Sequence, residues 1–247
     1  MTDVYRADLA HVHDAGFGAL ARSAATVLVE TLRQQGTHSG LVVDLGCGSG
    51  ITAQILSDAG YEVLGVDISA DLIEIARSRV PRAEFRVESF LNTNIPECVA
   101  VTAIGECFNY AFDGDNTPDE RSGLFRRVHR ALQAGGIFLF DVAGPGRVPG
   151  TGSTRTHTEG EDWVVLMTAE ENLQRRRLTR RITTFRKVSD LYRRDHEVHE
   201  LNLLERPEIR HQLQDAGFQV RILDGYGPTG FAPGHAGFLA RKGRERE

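Results

Sequence analysis

The chain has 247 residues, 40% of them hydrophobic and 26% charged, a balance suited to one globular domain of moderate size. A formal net charge of −5 argues against a general nucleic-acid or membrane-surface binder. Cys47, Cys98 and Cys107 are odd in number and lack C-x-x-C spacing, so they point to neither a disulfide framework nor a zinc site, and no metal is expected. The sequence opens without a basic-then-apolar leader and holds no apolar run long enough to span a bilayer, which predicts a cytoplasmic protein.

Residues 1–14 are polar and aromatic. Helical spacing of Phe17, Leu20, Ala24, Val27, Leu28 and Leu32 then predicts a helix from 15 to about 34. A loop over 35–40 leads into Leu41, Val42 and Val43, an apolar run that reads as a buried strand. Asp44 ends the strand, and Gly46, Gly48 and Gly50 follow at alternate positions. Glycine there opens backbone angles closed to other residues and lets a ligand approach the main chain. From Ile51 the pattern is helical until Gly60. Strand, glycine turn and helix together begin a nucleotide-binding α/β unit.

Spacing separates two ligand classes. A dinucleotide turn wants G-x-G-x-x-G, with a pyrophosphate on the helix N-terminus. Here the third glycine comes one residue early, and Ile51 stands where the dinucleotide pattern wants Gly. Asp44 would repel a pyrophosphate and suits a ligand with a positive amino group. The run from Asp44 to Gly50, D-L-G-C-G-S-G, resembles motif I of the class I S-adenosylmethionine (SAM)-dependent methyltransferases. Their ligand carries an ammonium and a sulfonium and no phosphate.

A second strand over 61–66 ends at Asp67, which lies 17 residues past Gly50, near the spacing of about 20 for an acid that binds ribose hydroxyls. Ser69 caps the next helix, which stops at Val80-Pro81. A strand over 83–87 precedes Glu88-Ser89-Phe90. In the family this junction sets a polar residue beside the adenine amino group and an apolar one against its ring; Ser89 stands here where Asp is frequent. The strand over 99–104 leads to Gly105, Glu106, Cys107, Asn109 and Tyr110, a segment that should border the methyl group. It lacks both the D/N-P-P-Y/F sequence of amino methyltransferases and the P-C nucleophile of cytosine C5 methyltransferases, so Cys107 reads as packing. Thr117-Pro118-Asp119-Glu120 is an N-cap with a capping box. Its helix ends at Gly135-Gly136, before a fifth strand over 137–140 with Asp141 at its exposed end; this turn also resembles the family's.

Residues 144–205 break the alternation. Candidate strands at 154–158, 163–168, 178–185 and 191–203 suggest antiparallel hairpins. Their many arginines are offset by acids, which reads as a solvated sheet face rather than an RNA patch. Asp195, Glu197 and His199 share one strand face, and His196 lies on the other. Pro207 starts a last helix, followed by strands over 218–223 and 236–241 around a Gly/Pro-rich loop.

The resemblance implies a Rossmann-like three-layer α/β/α sandwich with a seven-stranded, mostly parallel sheet in the order 3-2-1-4-5-7-6. It implies one domain over 1–247, an N-terminal helical lid over 1–36, and an antiparallel β insertion over 144–205 that covers the acceptor or builds a homodimer. The cofactor is then SAM, leaving as S-adenosylhomocysteine. Asp44, Gly46, Cys47, Gly48 and Gly50 would hold its methionine part, Asp67 and Ile68 the ribose, and Glu88, Ser89 and Phe90 the adenine. Gly105 and Glu106 would complete the site. Tyr5, His11, Asn109 and Tyr110 are candidate acceptor contacts, and His13, Glu106 and His199 (with His11) candidate proton acceptors. A small-molecule acceptor is expected, with no nucleic acid and no membrane. The competing readings are an RNA or protein methyltransferase docking through the insertion, a non-catalytic SAM binder, and a nicotinamide dehydrogenase.

Overall fold

The structure is a computed structural model that describes residues 4–114, 116–149 and 152–243. Two helices come first, α1 (Ala7–Gly16) and α2 (Ala19–Gln34). Alternation follows through β1 (Leu41–Leu45), α3 (Ile51–Asp58), β2 (Glu62–Asp67), α4 (Ala70–Arg79) and β3 (Glu84–Val87). It continues with β4 (Cys98–Ala103), α5 (Pro118–Ala131) and β5 (Leu132–Ala143). Four strands then run consecutively: β6 (Ser153–Glu159), β7 (Trp163–Asn172), β8 (Arg177–Val188) and β9 (Leu191–Asn202). The chain closes with α6 (Arg206–Asp215), β10 (Phe218–Leu223), the short pair β11 (Gly225–Tyr226) and β12 (Thr229–Gly230), and β13 (His235–Lys242).

The main sheet runs β10-β13-β5-β4-β1-β2-β3. Its strands are parallel except β13, which pairs antiparallel with both β5 and β10. With β10 and β13 taken as strands six and seven, this is the expected order. Alternation along each strand divides the core in two. Val43, Leu45, Val101, Phe138 and Phe140 face α5 and α6, while Val42, Ala100, Ile137 and Leu139 face α2, α3 and α4. Phe108 anchors the first half, its ring edge-on to Phe125, Phe138 and Phe140 at 5.5, 6.2 and 5.1 Å. Each ring so buried contributes about 1.5–3 kcal/mol. The fifth strand is longer than expected, and its Asp141 is fully buried rather than exposed, because β13 covers it.

The second sheet is antiparallel, in the order β6-β7-β8-β9. Its register sorts the faces. Met167, Ile182 and Glu197 lie in one cross-strand row, Arg180 and His199 in the next, all on the inner face. Leu166, Thr183 and His196 lie on the outer face with Arg181 and Val198.

The N-terminal reading needs a correction. Instead of one helix from 15, the chain makes two, broken at Phe17-Gly18. Leu9 and Val12 of α1 pack with Trp163, Val165 and Ile182 of the second sheet. Asp8, buried, pairs with Arg193 and Arg186, and the main-chain N–H groups of Tyr5 and Arg6 donate to Glu197 at 2.8 and 2.9 Å. Gly16 lies so close under Trp163 that a Cβ there would sit 2.6 Å from the indole ring.

Candidate functional site

Two cavities meet beyond the carboxyl ends of β1, β2, β3 and β4, where open parallel sheets bind ligands. The first lies over the glycine turn. Gly46, Gly48 and Gly50 all have left-handed backbone (φ 68°, 53° and 78°), so the hairpin needs glycine at each. Nothing lies within 4 Å of where a Cβ would stand on Gly48 or Gly105, and both residues line the cavity. A side chain at either place would take space that a ligand can use.

Asp67, Ile68, Ser89 and Phe90 line this cavity. The Asp67 carboxylate accepts from the N–H groups of Gly48 and Ser69, both at 2.9 Å, which fixes it between turn and helix. Burial raises its pKa against these hydrogen bonds. Asp44 sits beneath the turn, 2% exposed. One of its oxygens accepts from Thr102 at 2.7 Å, and the other is buried without a hydrogen-bond partner. Burial pushes the Asp44 carboxyl up to about 7, the Thr102 hydrogen bond acting in the other direction. An orphaned buried carboxylate oxygen beside an open glycine hairpin fits a cationic ligand.

Besides the buried Asp44, three further expected cofactor contacts lie outside the lining of both cavities. Glu88 accepts from Thr93 at 2.7 Å and lines neither cavity. Cys47 is buried behind the turn, where burial holds its thiol well above the ordinary range. Gly50 packs against Ala76, joining α3 to α4. Asp113, which no local pattern singles out, lines the first cavity and accepts from the Ser89 hydroxyl at 2.5 Å. It brings a carboxylate to the side of Ser89.

The second cavity, of about 400 Å³, opens between the Gly105–Glu106 segment and the inner face of the second sheet. Tyr5, His13, Gly105 and Tyr110 line both cavities. The Tyr5 and Tyr110 hydroxyls are 2.6 Å apart, and the Tyr5 ring lies 5.2 Å from His13 and 4.9 Å from His199. His199 Nε2 lies 2.8 Å from Glu197, both groups buried. Burial lowers His13 to about 4, so it is neutral at physiological pH. Glu106, left-handed at φ 64°, places its oxygens 2.8 Å from Arg147 and 2.6 Å from Arg180. Burial alone would raise its pKa; Arg180, and then Arg147, outweigh burial and lower it.

Asn109 and His11 stand apart from both cavities. Asn109 is fully buried, donating to the carbonyls of Ala143 and Asn202 and accepting from Ala143 N–H, so its amide ties β5 to β9. His11 lies on another face of α1, paired with Asp162 at 2.9 Å. His235 was missed. It lines the second cavity, stacks on Phe231 at 4.4 Å and meets Asp141 at 2.9 Å. Asp141 also accepts from Tyr226 and from the N–H groups of Gly105 and Glu106.

The glycine hairpin, the acid closing β2 and the sheet with one reversed strand define a Rossmann-like methyltransferase fold. Residues 42–136 match the family model described as a methyltransferase domain. A ubiquinone biosynthesis O-methyltransferase of Hydrogenovibrio crunogenus is 34% identical over 134 residues, 51% of this chain and 52% of the relative. The fold is shared with a SAM-dependent methyltransferase from Clostridium acetobutylicum (TM-score 0.80, 18% identity, covering 95% of this chain and 97% of that one). It is shared also with SAM-bound CalS10, an amino pentose methyltransferase from Micromonospora echinaspora (TM-score 0.75, 18% identity, 94% and 95%). Residues 42–136 thus carry a methyltransferase domain, and the chain as a whole has the fold of SAM-dependent methyltransferases. Among the described residues no helix is long and apolar enough to cross a membrane.

Proposed function

We propose that this methyltransferase binds SAM over the glycine turn and passes the methyl group to a small molecule held in the second cavity. The carrying observation is that Tyr5, His13, Gly105 and Tyr110 form a wall common to both cavities. Asp67 would hold the ribose, Ser89, Phe90 and Asp113 the adenine, and Asp44, with Gly46 and Gly48, the methionine end. When bound, the donor supplies a methyl group already activated on a sulfonium. The protein then has to align the acceptor, exclude water and receive a proton. Phe17 and Leu20, which line both cavities, keep the junction dry.

His199 is the proton acceptor in this reading. With Nε2–H directed at the Glu197 carboxylate, Nδ1 keeps the lone pair. His13 is too weak a base, and both oxygens of Glu106 are engaged by arginine. A homodimer through the second sheet belongs to the same reading, since Leu166 and Val198 stand exposed on its outer face; sedimentation of a single 27-kDa species would remove it. Incubation with methyl-labelled SAM and fractionated metabolites tests the main proposal. Label should enter a low-molecular-weight product, and His199→Asn should slow transfer by roughly 10²-fold or more for an acceptor that must lose a proton. Label entering only RNA or protein would overturn it.

A further inference from the structure

One end of the second cavity holds more cationic hydrogen-bond donors than the chain itself uses. Arg180 on β8 and Arg147, in the loop after β5, each place one nitrogen against Glu106. Arg147 also donates to the Pro233 carbonyl at 3.2 Å, and its Nε is buried without a partner. A guanidinium carries five N–H donors, so a single carboxylate leaves most of them unused. Both arginine side chains are only 16% exposed, where bulk water compensates poorly.

The other nearby acids do not meet this surplus. Glu197 is occupied by Tyr5, Arg6 and His199, and Asp141 by Tyr226, His235 and two main-chain N–H groups. Neither lines the cavity, whose remaining titratable groups are tyrosines and histidines. Away from the arginines the wall is largely apolar, formed by Leu9, Phe17, Val165, Met167 and Ile182, with Thr156 and Thr158 beside them. The register explains the arrangement: Arg180 pairs with His199 on the inner face, whereas Arg181 pairs with Val198 on the outer.

We infer that the methyl acceptor is an amphipathic anion, its carboxylate or phosphate docked on Arg180 and Arg147 and its apolar body along the apolar stretch of the wall. Guanidinium groups recognise such oxyanions in a fork. Glu106 holds the arginines in place and competes with the acceptor for them. This assignment rests on reading the second cavity as the acceptor's.

The test uses benzoate, phenyl phosphate and neutral benzamide as probes on the full chain with S-adenosylhomocysteine present. Binding is followed by calorimetry and by fluorescence of Trp163, the sole tryptophan, whose ring lies 6.2 Å from that of Phe17. The two anions should bind roughly tenfold or more tightly than benzamide, and the stronger of them tells carboxylate from phosphate. Arg180→Gln and Arg147→Gln should each weaken the anions by roughly tenfold or more, with Arg180→Lys intermediate. Glu106→Gln should tighten them, a sign that a purely structural ion pair would not give. Anions binding no better than benzamide, or Glu106→Gln weakening them alongside the arginine variants, would overturn the inference. Should the variants fail to fold, the comparison of anions with benzamide on the unaltered chain decides alone. Absence of S-adenosylhomocysteine binding would instead remove the functional reading beneath it.

Discussion

At Asp44 one carboxylate answers two opposed demands. Burial favours its neutral form, with a pKa of about 7, while a cationic donor needs it charged. If the donor's ammonium is held here, binding near pH 5 to 6 releases close to one proton, and near pH 7 about half of one. Calorimetry in buffers of differing ionisation heat should show that release fading above pH 8, with donor affinity falling as the pH drops below 7. Asp44→Asn should flatten the pH dependence and weaken the donor by roughly tenfold or more. Without donor the sign reverses. The native pKa lies above the ordinary 3.8, so the folded state loses stability as pH rises from about 4 through 7. Donor-free Asp44→Asn should therefore melt higher than the unaltered chain at pH 8, and the two should converge near pH 4. Much of the proposed donor site was legible at this scale because Asp44, the glycines and Asp67 signal through local spacing. Arg147, Arg180, His235 and Asp113 were not, because each depends on non-local packing. Nothing in the run Arg180-Arg181 says which guanidinium turns inward until the partner strand is known.

The same distinction holds for whole elements. The strands of the main sheet were readable because they are apolar runs closed by glycine, proline or a capping residue. Helix α1 was not, since Asp8, His11 and His13 interrupt its apolar face. Those polar groups meet partners far along the chain, among them Arg193 for Asp8 and Asp162 for His11. The break between α1 and α2 depends on close approach rather than on helix propensity. A methyl group on Gly16 would stand 2.6 Å from the Trp163 ring, which is itself wedged against Leu9 and Val12. Gly16→Ala should cost about 1–3 kcal/mol by overpacking, even though alanine is the better helix former. The melting temperature should fall and the emission of Trp163 should shift. A variant more stable than its parent would mean that α1 is not pinned against the sheet.

Across the whole molecule, the two cavities share a wall from residues 5–20, which is held by the second sheet and also tied to α4 and its cap. Glu197 joins these parts: one carboxylate accepts from Tyr5 and Arg6 and meets His199. A ligand on the glycine turn that also touches Tyr5 and His13 should therefore stabilise α1 and, through Glu197, β8 and β9. At a concentration near 100 times its dissociation constant, a ligand bound only to the closed form adds about 2.7 kcal/mol. Amide exchange in any unit that must open to release it then slows by about a hundredfold. S-adenosylhomocysteine should thus protect α1 and the inner strands as well as the β1–α3 and β2–α4 junctions. Glu197→Gln removes the charge that gathers these N–H groups, so protection should persist at the glycine turn and fade over α1. Protection confined to the glycine turn in the unaltered chain would show that α1 and the second sheet do not respond to the donor.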